Sequence, residues 1–157
     1  MSQDYDVQDY PHSELTEKII GAAMKVHSAL GPGFLEKIYE NALLRQLSKI
    51  GLSAAQQVRY PVNFDGFLVG EHFLDIVVEG KVYVELKCHP FADLEKAQVA
   101  SGLKASGVEL ALLINFNCLH LKGNFTRIVR SNLYELLKEN ASRKNPLPAQ
   151  PPNNQAV

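Results

Sequence analysis

The chain has 157 residues, which fits one domain, and 46% of them are hydrophobic, enough for a single closed core. With 21% charged residues the composition is globular rather than disordered, and a formal net charge of −1 excludes a general attraction to nucleic acid, so such binding would need a local basic patch. No apolar run approaches the roughly 18–20 residues needed to span a bilayer, and two cysteines, Cys88 and Cys118, exclude a disulfide framework.

Residues 1–12 carry Asp4, Asp6 and Asp9 without an apolar period, and read as a disordered, solvated arm unlike a signal peptide. A cytoplasmic setting is therefore expected. Ser13 is a plausible N-cap, followed by Glu14 and Glu17 in the first turn, where the helix dipole suits acids. Leu15, Ile19, Ala22, Ala23, Val26 and Leu30 repeat at helical spacing up to the Gly31-Pro32-Gly33 stop. A second helix places Leu35, Ile38, Ala42 and Ile50 on one stripe, with Tyr39, Leu43 and Leu47 beside it. Two helices so closely joined should pack as a hairpin.

From Gln57 the period becomes two. Val58, Tyr60 and Val62 predict a strand, and Phe64-Asp65-Gly66-Phe67 a turn. Strands are expected over 73–78 and 81–87, a helix over 93–106 closed by Gly107, and a strand buried on both faces over 110–116. A weaker strand over 125–129 and a short helix over 133–139 complete residues 13–140, read as a single domain. Residues 141–157 hold Pro146, Pro148, Pro151 and Pro152 and read as a disordered tail.

The chemistry concentrates in one hairpin. Tyr83, Glu85 and Lys87 face one way and Val82, Val84 and Leu86 the other. On the preceding strand Leu74, Ile76 and Val78 form one apolar set, leaving Asp75 and Val77 opposite. A two-residue loop at Glu79-Gly80 would send Asp75 and Glu85 to opposite faces. A three-residue loop, Val78-Glu79-Gly80, pairs Asp75 with Tyr83 and unites Asp75, Glu85 and Lys87, and burial of all six aliphatic residues favours this odd-numbered loop or an equivalent bulge. Neighbouring carboxylates repel unless neutralised. Mg²⁺ or Mn²⁺ does this with oxygen ligands, and a nearby lysine stabilises charge on a phosphoryl group or orients water. An edge hairpin with one wet face carries the same residues at the same period, so the pattern is not specific by itself.

The segment Gly33-Phe34-Leu35-Glu36-Lys37-Ile38-Tyr39 resembles the motif of the GxxExxY proteins, a branch of the PD-(D/E)xK nuclease-like superfamily. The resemblance runs over about residues 15–130. It includes Leu15-Thr16-Glu17-Lys18-Ile19-Ile20, Val26-His27, Leu30-Gly31-Pro32-Gly33, Val84-Glu85-Leu86-Lys87 and Leu112-Leu113-Ile114-Asn115-Phe116. It implies an α/β fold with a mixed sheet flanked by helices, a restriction-endonuclease-like core with an N-terminal helical hairpin. It also implies a metal-dependent nuclease with Asp75 and Glu85 as ligands, Lys87 as the catalytic lysine and Glu36 completing the metal site. Tyr39 and Gln98 become candidate substrate contacts, although a core aromatic and a solvated glutamine are the plain readings. The partner implied is nucleic acid, DNA before RNA, with a homodimer or protein partner open; the alternative is a nuclease-fold module that binds without turnover.

Two positions depart from the family pattern. Gly102 stands four residues after Gln98, where related sequences often have tyrosine, and Phe73 stands where arginine is frequent. Neither would bind metal, but both bear on substrate positioning. His27 reads as a hydrogen-bonded packing residue, and Cys88-His89 with Cys118-Leu119-His120 matches no common zinc spacing.

Overall fold

A computed structural model describes residues 10–133 and residue 138. Of the sequence expectations, the beginning of the N-terminal arm, most of the final helix and the proline-rich tail lie outside the described residues.

Helices α1 (Ser13–Leu30) and α2 (Glu36–Lys49) are followed by β1 (Ala54–Phe64), β2 (Phe67–Val78) and β3 (Val82–Lys87). Helix α3 (Asp93–Ser106) then crosses to β4 (Leu110–Asn115), and β5 (Phe125–Val129) runs into a short 3₁₀ turn at Arg130–Asn132. The strands lie side by side in chain order in one mixed sheet: β3 and β4 are parallel and the other neighbours antiparallel. The parallel pair requires a long crossover, which α3 supplies.

Helices α1 and α2 cover one face of the sheet, burying Ile19, Ala23, Val26, Tyr39, Leu43 and Leu47 against Ile76, Val84, Leu86 and Leu112. Helix α3 covers the other, packing Val99, Ala100 and Leu103 on Leu74, Tyr83, Ala111 and Leu113. All six residues of β4 are buried, as a strand covered on both faces requires. The α/β class, the mixed sheet and the N-terminal helical hairpin expected from the sequence are those observed. No helix among the described residues is long and apolar enough to cross a membrane.

Several local expectations are corrected. The residue capping α1 is His12, not Ser13; His12 takes a left-handed conformation (φ 60°) and its ring bonds to Glu109 at 3.1 Å. On α2 the buried stripe is Tyr39-Leu43-Leu47, while Leu35, Ile38 and Ile50 stay exposed. Both stripes are apolar, and only the position of α1 and the sheet selects between them. The φ of +108° at Gly33 is what favours glycine there.

The hairpin loop is odd-numbered, as the burial argument requires, but it is Glu79-Gly80-Lys81. Glu79 and Gly80 both take positive φ, Lys81 N–H bonds to the Val78 carbonyl at 2.9 Å, and Val78 pairs with Val82. Lys81 is thus the extra, bulged residue. The register differs by two residues from the expected one. Leu74 also leaves the predicted apolar set. It packs on the α3 side, whereas Ile76 and Val78 pack on the α1–α2 side. Regular alternation cannot do this, and the break coincides with Gln57, left-handed at φ 51° on the neighbouring strand between the Gln56–Ile76 and Val58–Leu74 pairs.

Candidate active site

The β2–β3 ladder pairs Val78 with Val82, Val77 with Tyr83 and Ile76 with Val84, and then stops. Continuing the register by one residue sets Asp75 opposite Glu85, beyond the last pair. Asp75 is half-buried, and Gln57 donates to its Oδ1 at 3.1 Å. Burial first, then the charge of Glu85 and a hydrogen bond shared with it, push the Asp75 carboxyl up to about 7, with Gln57 pulling it back.

Glu85 is 8% exposed and held from both sides. The Lys87 Nζ lies 2.7 Å from its Oε1, and the Tyr83 hydroxyl donates to its Oε2. Burial works against the Lys87 charge, but the hydrogen bond and charge of Glu85, with Glu36 and Asp75 behind it, hold the ammonium pKa up. Burial and the Glu85 charge raise the Tyr83 phenol, keeping it a neutral donor. Alternation along β3 puts these three side chains on one face.

Glu36 is the first residue of α2. The helix dipole favours its ionised form, but burial prevails and raises its pKa, with Lys87 pulling the other way. The four predicted residues Glu36, Asp75, Glu85 and Lys87 therefore share one electrostatic cluster. Glu36 does not join the other acids in a ready-made cage: among the described residues no three of His, Cys, Asp and Glu gather closely enough to hold an ion. The donor set is instead two adjoining carboxylates. This fits Mg²⁺ or Mn²⁺, which bind through one or two carboxylates and take their remaining oxygens from water and phosphate.

Tyr39 is corrected from a candidate substrate contact to a core residue. It is fully buried and stacked on Phe116 with ring centroids 4.7 Å apart. Its hydroxyl donates to the Gly31 carbonyl and accepts from Phe34 N–H, pinning the loop that delivers Glu36. Gln98 is exposed on α3. Phe73, in place of the frequent arginine, is exposed too. His27 is a packing residue, buried and bonded through Nε2 to the Cys118 carbonyl at 2.8 Å. Cys88 turns to the Phe34 carbonyl and Cys118 to the Asn115 carbonyl, so the two do not converge.

Two residues of the cluster were not singled out from the sequence. The signal for Tyr83 was its period-two face, shared with Glu85 and Lys87. Gln57 gave none, because its contact depends on a left-handed backbone within a strand. A separate cleft is lined by Tyr10, Glu109, Arg130 and Asn132, and among the described residues Glu109 is its one carboxylate.

Residues 13–128 match the PD-(D/E)XK nuclease superfamily, and the chain belongs to it. Nucleases of that superfamily generally use divalent metal ions. The match is at superfamily level; the GxxExxY branch rests on the motif resemblance. The fold is similar to the crystal structure of SSO0001, with a TM-score of 0.50 and 13% identity over 83% of this chain and 87% of that one. An alkaline exonuclease, LHK-Exo from Laribacter hongkongensis, is similar at a TM-score of 0.40 and 14% identity, covering 88% of this chain and 84% of its own. The same exonuclease in complex with dAMP gives a TM-score of 0.37 at 14% identity, over 82% and 97% of the two chains. No curated protein matches the sequence.

Proposed function

We propose that the protein is a divalent-cation-dependent nuclease of the GxxExxY branch, hydrolysing phosphodiester bonds of nucleic acid, with DNA the favoured substrate. The observation that carries this reading is the pair Asp75 and Glu85 beyond the last rung of β2–β3, with Lys87 2.7 Å from Glu85. Asp75 and Glu85 would hold Mg²⁺ or Mn²⁺. The bound ion supplies Lewis-acid polarisation of a phosphoryl oxygen and a more acidic water.

The chain's own groups do the rest. Lys87 places positive charge beside Glu85, where it can stabilise the negative charge that builds on a phosphoryl group under attack or orient the attacking water. Glu36, whose charge interacts with that of Lys87, can take a proton from water at its carboxylate. Gln57 and Tyr83 fix the two carboxylates. Gln98 is available for a phosphate contact from α3.

A second reading, binding of a protein partner without turnover, draws on the far end of the β1–β2 hairpin. Phe64, Phe67, Leu68 and Val69 are all exposed there.

Supercoiled plasmid, linear duplex and single-stranded DNA incubated with Mg²⁺, Mn²⁺ or EDTA test the proposal. An Asp75→Ala/Glu85→Ala protein prepared in parallel excludes a contaminant. Cation-dependent cleavage lost in the double variant is expected; no cleavage by a folded, cation-binding protein would favour the binding reading.

A further inference from the structure

Tyr83 is 2% exposed, lying between β3 and α3. Opposite its ring, α3 carries Gly102. A Cβ at that position would stand 2.7 Å from Leu74 Cδ2, 3.0 Å from Tyr83 Cε1 and 3.2 Å from His72 Nε2. Glycine inside a helix costs about 1 kcal/mol relative to alanine, so its use here has to be set against what the freed space holds. That space is taken by the Leu74 side chain and the Tyr83 ring. The Tyr83 ring thus lies close against α3 at Gly102, and its hydroxyl donates to Glu85 Oε2.

Glu85 is thus gripped at both oxygens by donors from its own strand, two residues before and two after. Lys87 takes Oε1 at 2.7 Å and Tyr83 takes Oε2. A buried carboxylate with one oxygen released would rotate about its last torsion, which is broad and only weakly restricted. Held at both, it presents one orientation to Asp75.

We propose that Tyr83 is a positioning residue for Glu85, seated by Gly102, and that its hydroxyl sets the carboxylate geometry in which the chain binds a divalent cation. This rests on the reading of Asp75 and Glu85 as the cation's ligands. It extends that reading to a residue that itself touches neither ion nor substrate.

Tyr83→Phe in the full chain removes the hydroxyl and keeps the ring against Gly102. Mn²⁺ affinity is measured directly by calorimetric titration of wild type, Tyr83→Phe and Glu85→Gln, each with its melting curve. Hydrogen-bond partners of ligating groups typically matter by 10- to 100-fold. The expected result is that Tyr83→Phe melts as a folded protein and binds Mn²⁺ at least about tenfold more weakly, while Glu85→Gln loses most binding. Unchanged affinity in Tyr83→Phe, with Glu85→Gln impaired, would overturn the role of Tyr83 and leave the cation site standing. A wild-type protein that binds no Mn²⁺, or a Glu85→Gln variant that binds normally, would overturn both.

Discussion

Asp75 and Glu85 meet where the β2–β3 ladder ends: Ile76 and Val84 form its last pair, and the next residue on each strand is an acid. Neither carboxylate is fully solvated, and the charge of Glu85 acts on Asp75. Bringing two such groups together costs free energy unless a proton or a cation lies between them. The relationship therefore links pH, cation binding and stability, and each link can be measured.

If Asp75 holds the cation as proposed, proton and cation compete for it. Because its carboxyl is pushed up to about 7, it is protonated in acid and must lose that proton to bind an ion. Mn²⁺ affinity should rise by up to about tenfold per pH unit below that value and level off above it. Titrations between pH 5.5 and 8.5 check this, and a flat profile would mean that Asp75 is not a ligand.

The same shift acts on stability in the cation-free protein. The folded pKa of Asp75 lies above the ordinary carboxylate value, so the folded chain holds the proton more tightly. The stabilisation is complete below about pH 4 and is lost as pH rises through about 7. Allowing for solvent screening, the loss is about 1–2 kcal/mol. Asp75→Asn should flatten the melting temperature across this range and melt higher than wild type at pH 8 in EDTA. A wild-type protein that becomes more stable from pH 5 to 8 through this site would contradict the assignment.

Lys87 separates binding from chemistry. Lys87→Ala deletes the ion pair to Glu85 but neither carboxylate. Mn²⁺ affinity should weaken by about tenfold, as expected when Glu85 loses one of its two donors, while the single-turnover cleavage rate at saturating Mn²⁺ falls by about 10²–10³-fold. Equal losses in binding and rate would make Lys87 a support for the acids alone.

Tyr39 offers the opposite case. Tyr39→Phe leaves the stacked ring on Phe116 but removes the hydroxyl joining the Gly31 carbonyl to Phe34 N–H. A loss of about 1–3 kcal/mol in unfolding free energy is expected from the unsatisfied groups. Denaturant titration measures it. Cation affinity should stay within about twofold of wild type, since the ring and its hydroxyl lie in the core.

Much of the frame was legible in the residues. Helix α3 and strand β5 have the bounds expected from the residues, and Gly107 closes the helix in a left-handed conformation. The fully apolar run of β4 announced a strand with two covered faces. Alternation in β3 and the aliphatic count required an odd-numbered loop, which put Asp75, Glu85 and Lys87 within reach of one another. The burial of Tyr39 rather than Ile38 was not legible, since both lie on apolar stripes of one helix.

What the sequence by itself determined is a set of residues and their elements: two acids and a lysine on neighbouring strands, and a glutamate opening a helix. These follow from residue type and from short periods set by local backbone sterics. The tertiary structure alone decided that Asp75 lies opposite Glu85, that Leu74 turns to the α3 side, and that the Tyr83 ring rests on Gly102. Those outcomes depend on left-handed backbone at Gln57, Glu79 and Gly80, and on a helix that returns across the sheet. Register and helix placement are settled by the sum of distant contacts, and no local period encodes that sum.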